Sequence, residues 1–339
     1  MKIGEFDTDK KVLIIAEIGN NHEGDFNVAC EMIEAAADAG ADAVKFQTII
    51  PDRLVRKSDT KRVEQLSSYA FDEYQFRELH HLAKRCSVIF LSTPFDLDVV
   101  DWLDDLVPAY KIASGDNDFL PLFDKVSQTG KPILISLGLG KIKELQEIKG
   151  FLELKWKSYK LPNPGIGFLH CVVSYPTPDD QAFLSNISKI AHENVTPGYS
   201  DHTMGIKAGE LAVANGARII EKHFTLDKNF SDFRDHQLSA DPHDLRLMVE
   251  SIRNAEELLG INKSDLQECE KCNEFAVRRS IATIRDMESG EIVSKGDLCW
   301  LRPRDGFRPG KEDLVVGRKL IAPIKKGESF NQSHFRSQN

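Results

Sequence analysis

The stretch Lys11–Gln47, KVLIIAEIGNNHEGDFNVACEMIEAAADAGADAVKFQ, holds one complete structural unit. Residues 11–18 (KVLIIAEI) form a short apolar run rich in branched side chains, which suits a buried strand. Residues 26–39 set apolar side chains three and four apart, the spacing of an amphipathic helix. Residues 42–47 (DAVKFQ) return to a short apolar run. A strand, a helix and a second strand in this order imply parallel pairing through a right-handed crossover.

The same alternation continues outward from this unit. Further strands are expected at 88–93, 109–114, 132–137, 166–172, 195–200 and 218–223. The one at 195–200 is weak in pattern, because it contains Pro197 and Gly198. Helices are expected at 73–86, 118–128, 179–192, 204–215 and 242–259, with Gly260 as the last one's C-cap. Eight such units in about 260 residues match an α/β fold of the (β/α)8 TIM-barrel type. A doubly wound sheet is the alternative. From about Phe275 the helical pattern stops, and short strand-like runs follow with turns at Ser289-Gly290 and Lys326-Gly327. The expected organisation is a barrel over 1–260, a polar linker over 261–274 and a small β-rich domain over 275–339.

Bulk properties narrow the function. The 339 residues are 41% hydrophobic and 29% charged, which is ordinary for a globular enzyme. The formal net charge of −9 argues against nucleic acid and membrane surfaces as partners. It does not argue against an anionic small molecule, since a local group of lysines can override the global sign. Met1–Lys11 lacks the apolar stretch of a signal peptide, and the run 12–16 is far too short to span a bilayer, so a cytoplasmic protein is expected. Cys269 and Cys272 form a lone CxxC. A structural zinc site needs about four ligands, so these read as free thiols on a charged helix.

In a TIM barrel the chemistry sits at the C-terminal ends of the strands. All eight expected strand ends carry ionisable or hydroxyl residues: Glu17, Lys45 with Gln47, Thr93, Lys111 with Ser114, Ser136, His170 leading to Tyr175, Ser200 with His202, and Glu221-Lys222-His223. Lys45 stands between Val44 and Phe46, and Lys111 between Tyr110 and Ile112. A lysine inside a strand is costly to desolvate unless it meets an anion. With Thr93, Ser114, Ser136 and Ser200, the two lysines suggest a cradle for phosphate and carboxylate. His202 and His223 close neighbouring strands, where two imidazoles suit a divalent transition metal with open coordination positions. His170 and His22 are possible neighbours of that cation, with His170 as a core hydrogen-bonding residue the alternative.

The segments IAEIGNNHEG, VKFQ, STPFD, YKIASGDN, LHCVVSYPTP, GYSDHT and EKHFTLD, taken in order, resemble the motif series of the N-acetylneuraminate (sialic acid) synthase family, which includes legionaminate and pseudaminate synthases. In the tail, RRSIAT, GEIVSKGDL and RPRDGFRPG resemble the antifreeze-like (SAF, β-clip) domain of that family. The resemblance implies a metal-dependent transferase, with Mn2+ in the first instance and Mg2+ and Co2+ as alternatives, that condenses phosphoenolpyruvate with an amino-sugar aldehyde of the N-acylmannosamine type. It implies that Lys45, Lys111, Thr93, Ser114, Ser136 and Ser200 hold phosphoenolpyruvate, and that His202 and His223 hold the metal. It further implies that Glu17 orients or deprotonates a water, and that Gln47, Tyr175 and Asp235 hold the sugar. Arg302 matches an arginine that reaches the sugar's acyl group across a domain-swapped homodimer, and Phe275 would line the same site.

The chain departs from the family pattern around the sugar. It has Leu137-Gly138-Leu139 after the strand-5 serine, Val173 before the tyrosine motif, Phe233-Arg234-Asp235 after HFTLD, and Arg304 in the tail. These changes leave the choice of sugar open. A deoxyoctulosonate-type condensation and a non-catalytic sugar-binding relative are the competing readings.

Overall fold

All eight expected strands form, in one sheet. They are β1 (Leu13–Gly19), β2 (Ala43–Thr48), β3 (Ile89–Pro94), β4 (Tyr110–Ile112), β5 (Ile133–Ser136), β6 (Ile166–Cys171), β7 (Thr196–Asp201) and β8 (Ile219–His223). The computed structural model describes residues 1–140, 142–233, 235–260 and 266–336. The chain divides into two units, Met1–Gly260 and Ile261–Asn339.

In the first unit the strand order is β3-β2-β1-β8-β7-β6-β5-β4, and every hydrogen-bonded neighbour is parallel. β3 and β4 lie side by side and bring the sheet round to a barrel without a paired ladder between them. The weak seventh strand forms despite Pro197 and Gly198. A Cβ on Gly198 would stand 2.9 Å from both the Ile219 carbonyl oxygen and Leu169 Cγ, so only glycine lets β7 lie this close to its neighbours.

Side chains alternate along each strand, and the alternation sorts two cores. Ile14, Val44, Phe90, Tyr110, Ile135, Phe168, Tyr199 and Ile220 face outward and join the helices in the larger one. Leu13, Ile15, Ala43, Leu91, Ala109, Leu134, Leu169 and Ile219 fill the inside of the barrel. Ile3, from a two-stranded hairpin of Lys2–Ile3 with Phe6–Asp7, packs with this inner set.

Side chains cap the start of several helices. Asp25 accepts from the backbone N–H of Asn27 and Val28 at the head of Phe26–Asp38, and Asp72 and Gln75 form a capping box at Glu73–Arg85. Helices also appear where no pattern was singled out, among them Thr60–Tyr69, Val99–Leu103 and Ile142–Ser158. The helix expected over 179–192 is shorter than its pattern. A 3-10 turn at Asp179–Gln181 is followed by Phe183 at φ 43°, and the helix itself is only Asn186–Ala191.

The second unit has its own core of Ile281, Met287, Val293, Val315, Leu320, Ile324, Phe330 and Phe335. Its only described ladder is the antiparallel pair Ser280–Thr283 with Leu298–Leu301. The other strand-like runs meet only through single bridges, such as Met287 with Ile324 and Ile292 with Lys319. Gly290 and Gly327 take positive φ at the two expected turns. The stretch read as a linker carries a helix, Glu268–Val277, and Cys269 and Cys272 are exposed free thiols upon it.

Candidate active site

Above the apolar filling, the inside of the barrel changes character within one residue pair. The next inward position is Glu17 on β1, Lys45 on β2, Thr93 on β3, Lys111 on β4, Ser136 on β5, Cys171 on β6, Ser200 on β7 and Glu221 on β8. All eight are buried. They form the floor of a cavity of about 920 Å3 at the C-terminal end of the barrel. Its lining also includes Gln47, Ser114, Tyr175, His202, His223 and Asp235.

Four charges alternate across this floor. Lys45 Nζ lies 2.6 Å from Glu17 Oε2 and 3.8 Å from Glu221 Oε2, and Lys111 Nζ lies 3.8 Å from Glu221 Oε1. Lys45 also donates to Thr93 Oγ1 at 3.1 Å, and Lys111 to Ser136 Oγ at 2.7 Å. Ser200 donates to Glu221 Oε1 at 3.0 Å, and Gln47 to Glu17 Oε1 at 3.1 Å. Ser114 accepts from the Gly138 N–H at 3.1 Å.

Burial and these neighbours set the protonation of the four. Burial pushes the Glu17 carboxyl up, and Lys45 does not fully offset it because the Glu221 charge adds to the rise. Burial also pushes Glu221 up, but Lys111 and Lys45 together outweigh it and hold this carboxyl below its ordinary value. Burial lowers Lys111, with only partial help from Glu221, whereas Lys45 is held above its ordinary value by Glu17 and Glu221 against the pull of burial. Two cations, with hydroxyls beside them, can therefore hold an anion bearing two acidic groups. Glu17, whose proton affinity is raised, is suited to exchange a proton with whatever sits above it.

His202 and His223 stand together on the β7 and β8 side, ring centroids 5.3 Å apart, with the Tyr175 ring 4.2 Å from His202 and 5.9 Å from His223. His202 Nδ1 is 2.8 Å from the Val172 carbonyl. A carbonyl only accepts, so Nδ1 carries the proton and Nε2 keeps its lone pair for a metal. Among the described residues, no three His, Cys, Asp or Glu side chains gather around one point. Two imidazoles with free coordination positions fit a cation whose remaining ligands are water and substrate, and do not fit a closed structural site.

The other two candidate histidines lie elsewhere. His170 faces the outer layer, where it stacks on Tyr199 at 5.9 Å and bonds the Ala182 carbonyl at 2.7 Å. The inward residue of β6 is its neighbour Cys171, whose Sγ is 3.8 Å from His202 Nδ1. His22 stacks on Phe71 at 4.2 Å, and burial holds it neutral, its pKa lowered to about 4. Glu221 was visible in the sequence only as part of a strand end. Its position two residues before His223, on the same face of the strand, is the signal that could have singled it out. Phe275 and Arg302 belong to the second unit, where both are exposed. Leu139 and Val173 line the cavity, Leu139 with φ 64°.

Behind the floor, on the outer face of β7 and β8, lies a second buried charge group. Lys222 Nζ is 3.0 Å from Asp201 Oδ2 and donates to the Thr203 carbonyl at 2.6 Å. Asp201 Oδ1 accepts from Thr203 N–H at 2.8 Å, from its hydroxyl at 2.7 Å, and from Tyr199 OH at 3.2 Å.

Comparison with known proteins agrees with this geometry. Residues 32–264 match the NeuB family, and residues 278–336 match the SAF domain. An N,N'-diacetyllegionaminic acid synthase of Campylobacter jejuni is 36% identical, over 95% of this chain and 100% of its own. A pseudaminic acid synthase of the same species is also 36% identical, over 99% of this chain and 100% of its own. Among solved structures, the N-acetylneuraminic acid (sialic acid) synthetase of Leptospira borgpetersenii serovar Hardjo-bovis, in complex with citrate, has a TM-score of 0.74. It is 33% identical and covers 80% of this chain and 94% of its own.

Proposed function

This chain belongs to the NeuB family and ends in a SAF domain, and on that premise we propose that it condenses phosphoenolpyruvate with an N-acylmannosamine-like aldehyde sugar to give a nonulosonic acid and phosphate. The observation that carries this reading is the floor of the cavity, where Lys45 and Lys111 are 3% and 2% exposed and face the mouth of a polar pocket. Lysines so buried are suited to an anion that enters and leaves.

In this reading the lysines, with Thr93, Ser114, Ser136 and Ser200, hold the carboxylate and phosphate of phosphoenolpyruvate. Gln47, Tyr175 and Asp235 hold the sugar above it. C3 of phosphoenolpyruvate attacks the aldehyde carbon, water adds to C2, and the C2–O bond to phosphate breaks, leaving a 2-keto acid and inorganic phosphate. Glu17 takes the proton of the attacking water, as its raised proton affinity suits. His202 and His223 would hold a divalent cation, Mn2+ in the first instance, and the cation when bound would polarise the aldehyde oxygen. The test is phosphate release from phosphoenolpyruvate with a panel of amino sugars, with Mn2+ and with a chelator. Release that needs both a sugar and the metal is expected. Release without sugar, or undiminished by chelation, would refute the condensation or the metal respectively.

We also assign Arg302 and Phe275 to the sugar site of a partner copy, in a domain-swapped homodimer. The support is their match to family positions and their exposure. Mixing the inactive variants Lys45→Ala and Arg302→Ala should restore activity in hybrid dimers, and no recovery after subunit exchange would remove the swap. Among the described residues no helix is long and apolar enough to cross a membrane. The six cysteines are free thiols, which suits a reducing compartment, and we place the enzyme in the cytoplasm.

A further inference from the structure

The wall of the cavity carries a carboxylate that no strand end supplies. Glu23 lies in the loop after β1 with φ 47°, a left-handed conformation unusual for glutamate. The next residue is Gly24, where a Cβ would collide with the Ser68 carbonyl, so the loop is pressed against helix Thr60–Tyr69. Strained backbone at a residue that lines a ligand cavity points to a required side chain.

That side chain is held from the far end of the sequence. The Ser231 hydroxyl donates to Glu23 Oε1, and His236 Nε2 stands 3.0 Å from the same oxygen. His236 is fully buried, with Nδ1 2.7 Å from Thr225 Oγ1 and Phe230 stacked on its ring at 5.2 Å. The described hydrogen bonds fall on Oε1 and leave Oε2 for a ligand.

Charge divides the cavity by depth. The floor matches two lysines with two carboxylates. Around the mouth, the described lining sets Glu23 and Asp232 against one guanidinium, Arg62, which is itself bonded to Gln65 at 2.6 Å. The rings of Tyr69 and Phe233 meet 5.6 Å apart on the same wall. A second anionic group would be repelled here, whereas hydroxyl and amide N–H groups would find an acceptor.

We propose that Glu23 is a specificity-determining residue: it accepts a hydrogen bond from the distal end of an uncharged amino sugar and bars a sugar that carries a phosphate there. This rests on the proposed condensation and deepens it. The test compares phosphate release with three sugars: N-acetylmannosamine, its 6-phosphate, and 2,4-diacetamido-2,4,6-trideoxymannose. The native enzyme should use uncharged sugar at least about tenfold better than the phosphate ester. Glu23→Gln should raise the sugar KM about tenfold, leave the phosphoenolpyruvate KM unchanged and narrow the discrimination against the ester. An unchanged sugar KM in folded Glu23→Gln, or a native preference for the ester, overturns the inference. Should Glu23→Gln fail to fold, Asp232→Asn, at an exposed position of the same rim, carries the test: narrowed discrimination supports the acidic rim, and unchanged discrimination overturns it. Absence of phosphate release with every sugar instead sinks the condensation reading itself, and this inference with it.

Discussion

Glu221 and Lys222 are neighbours in sequence and point to opposite faces of β8, and the groups they join behave differently. Outward, Lys222 and Asp201 are 1% and 0% exposed: Asp201 Oδ1 takes three donors, and Lys222 pairs with Asp201 Oδ2 and donates to the Thr203 carbonyl. Inward, Lys45 pairs with Glu17 at 2.6 Å, Glu221 stands 3.8 Å from each of two lysines, and the cavity opens above them. The outer group is sealed between protein layers and ties β7 to β8 behind His202 and His223. The inner group lines the cavity and is open to a substrate. Access, more than the kind of residue or the number of its partners, separates scaffold from site in this barrel.

The largest effect should come from the sealed side. Asp201→Ala strands the Lys222 ammonium in an apolar layer, and breaking a buried pair in this way costs about 3–5 kcal/mol. Urea unfolding should show that loss, and the double variant Asp201→Ala/Lys222→Met should recover part of it. A single variant as stable as the native chain would break the contrast. On the open side, Lys111→Met should leave stability unchanged or slightly raised, because burial already disfavours that ammonium. It should weaken phosphoenolpyruvate binding by about tenfold or more, the worth of one charge-assisted contact of roughly 1.5–3 kcal/mol. Urea unfolding reads the stability and calorimetric titration the affinity, and intact affinity would move the anion elsewhere.

The smallest effect sharpens the inner group alone. After burial, the charges of Lys111 and Lys45 dominate Glu221 and hold its carboxyl below the unfolded value. A carboxylate of that kind adds stability above its unfolded pKa and loses it as pH falls through the folded one. The native chain should therefore exceed Glu221→Gln in melting temperature at neutral pH, and the gap should close in acid. A gap that does not change with pH would mean that folding leaves the proton affinity of Glu221 unchanged.

Much of this was legible in the sequence because strands announce themselves by short apolar runs, and Lys45 and Lys111 interrupt two of those runs. What stayed open was mostly parity. His170 and Cys171 are one residue apart, and a shift of one moves a side chain from the outer layer to the inner. No run of sequence says which of the two faces inward; the register of β6 against β5 and β7 decides it. The tail strands were over-read for a related reason. Their apolar residues are single anchors of a small core, joined by isolated bridges instead of ladders. The Glu23 arrangement was out of reach altogether, since Ser231 and His236 lie more than 200 residues away along the chain.

The apolar filling beneath the lysines has a kinetic consequence. Leu13, Ile15, Leu91, Leu134, Leu169 and Ile219 are fully buried and close the barrel below the cradle, so the cavity is a well with one mouth. In the proposed condensation the anion binds at the bottom and the sugar above it. A sugar that arrived first would cover the way down, and phosphate released at C2 would lie beneath the product that has just formed. On that proposal depth would order encounter and departure: phosphoenolpyruvate would enter before the sugar, and the nonulosonic acid would leave before phosphate.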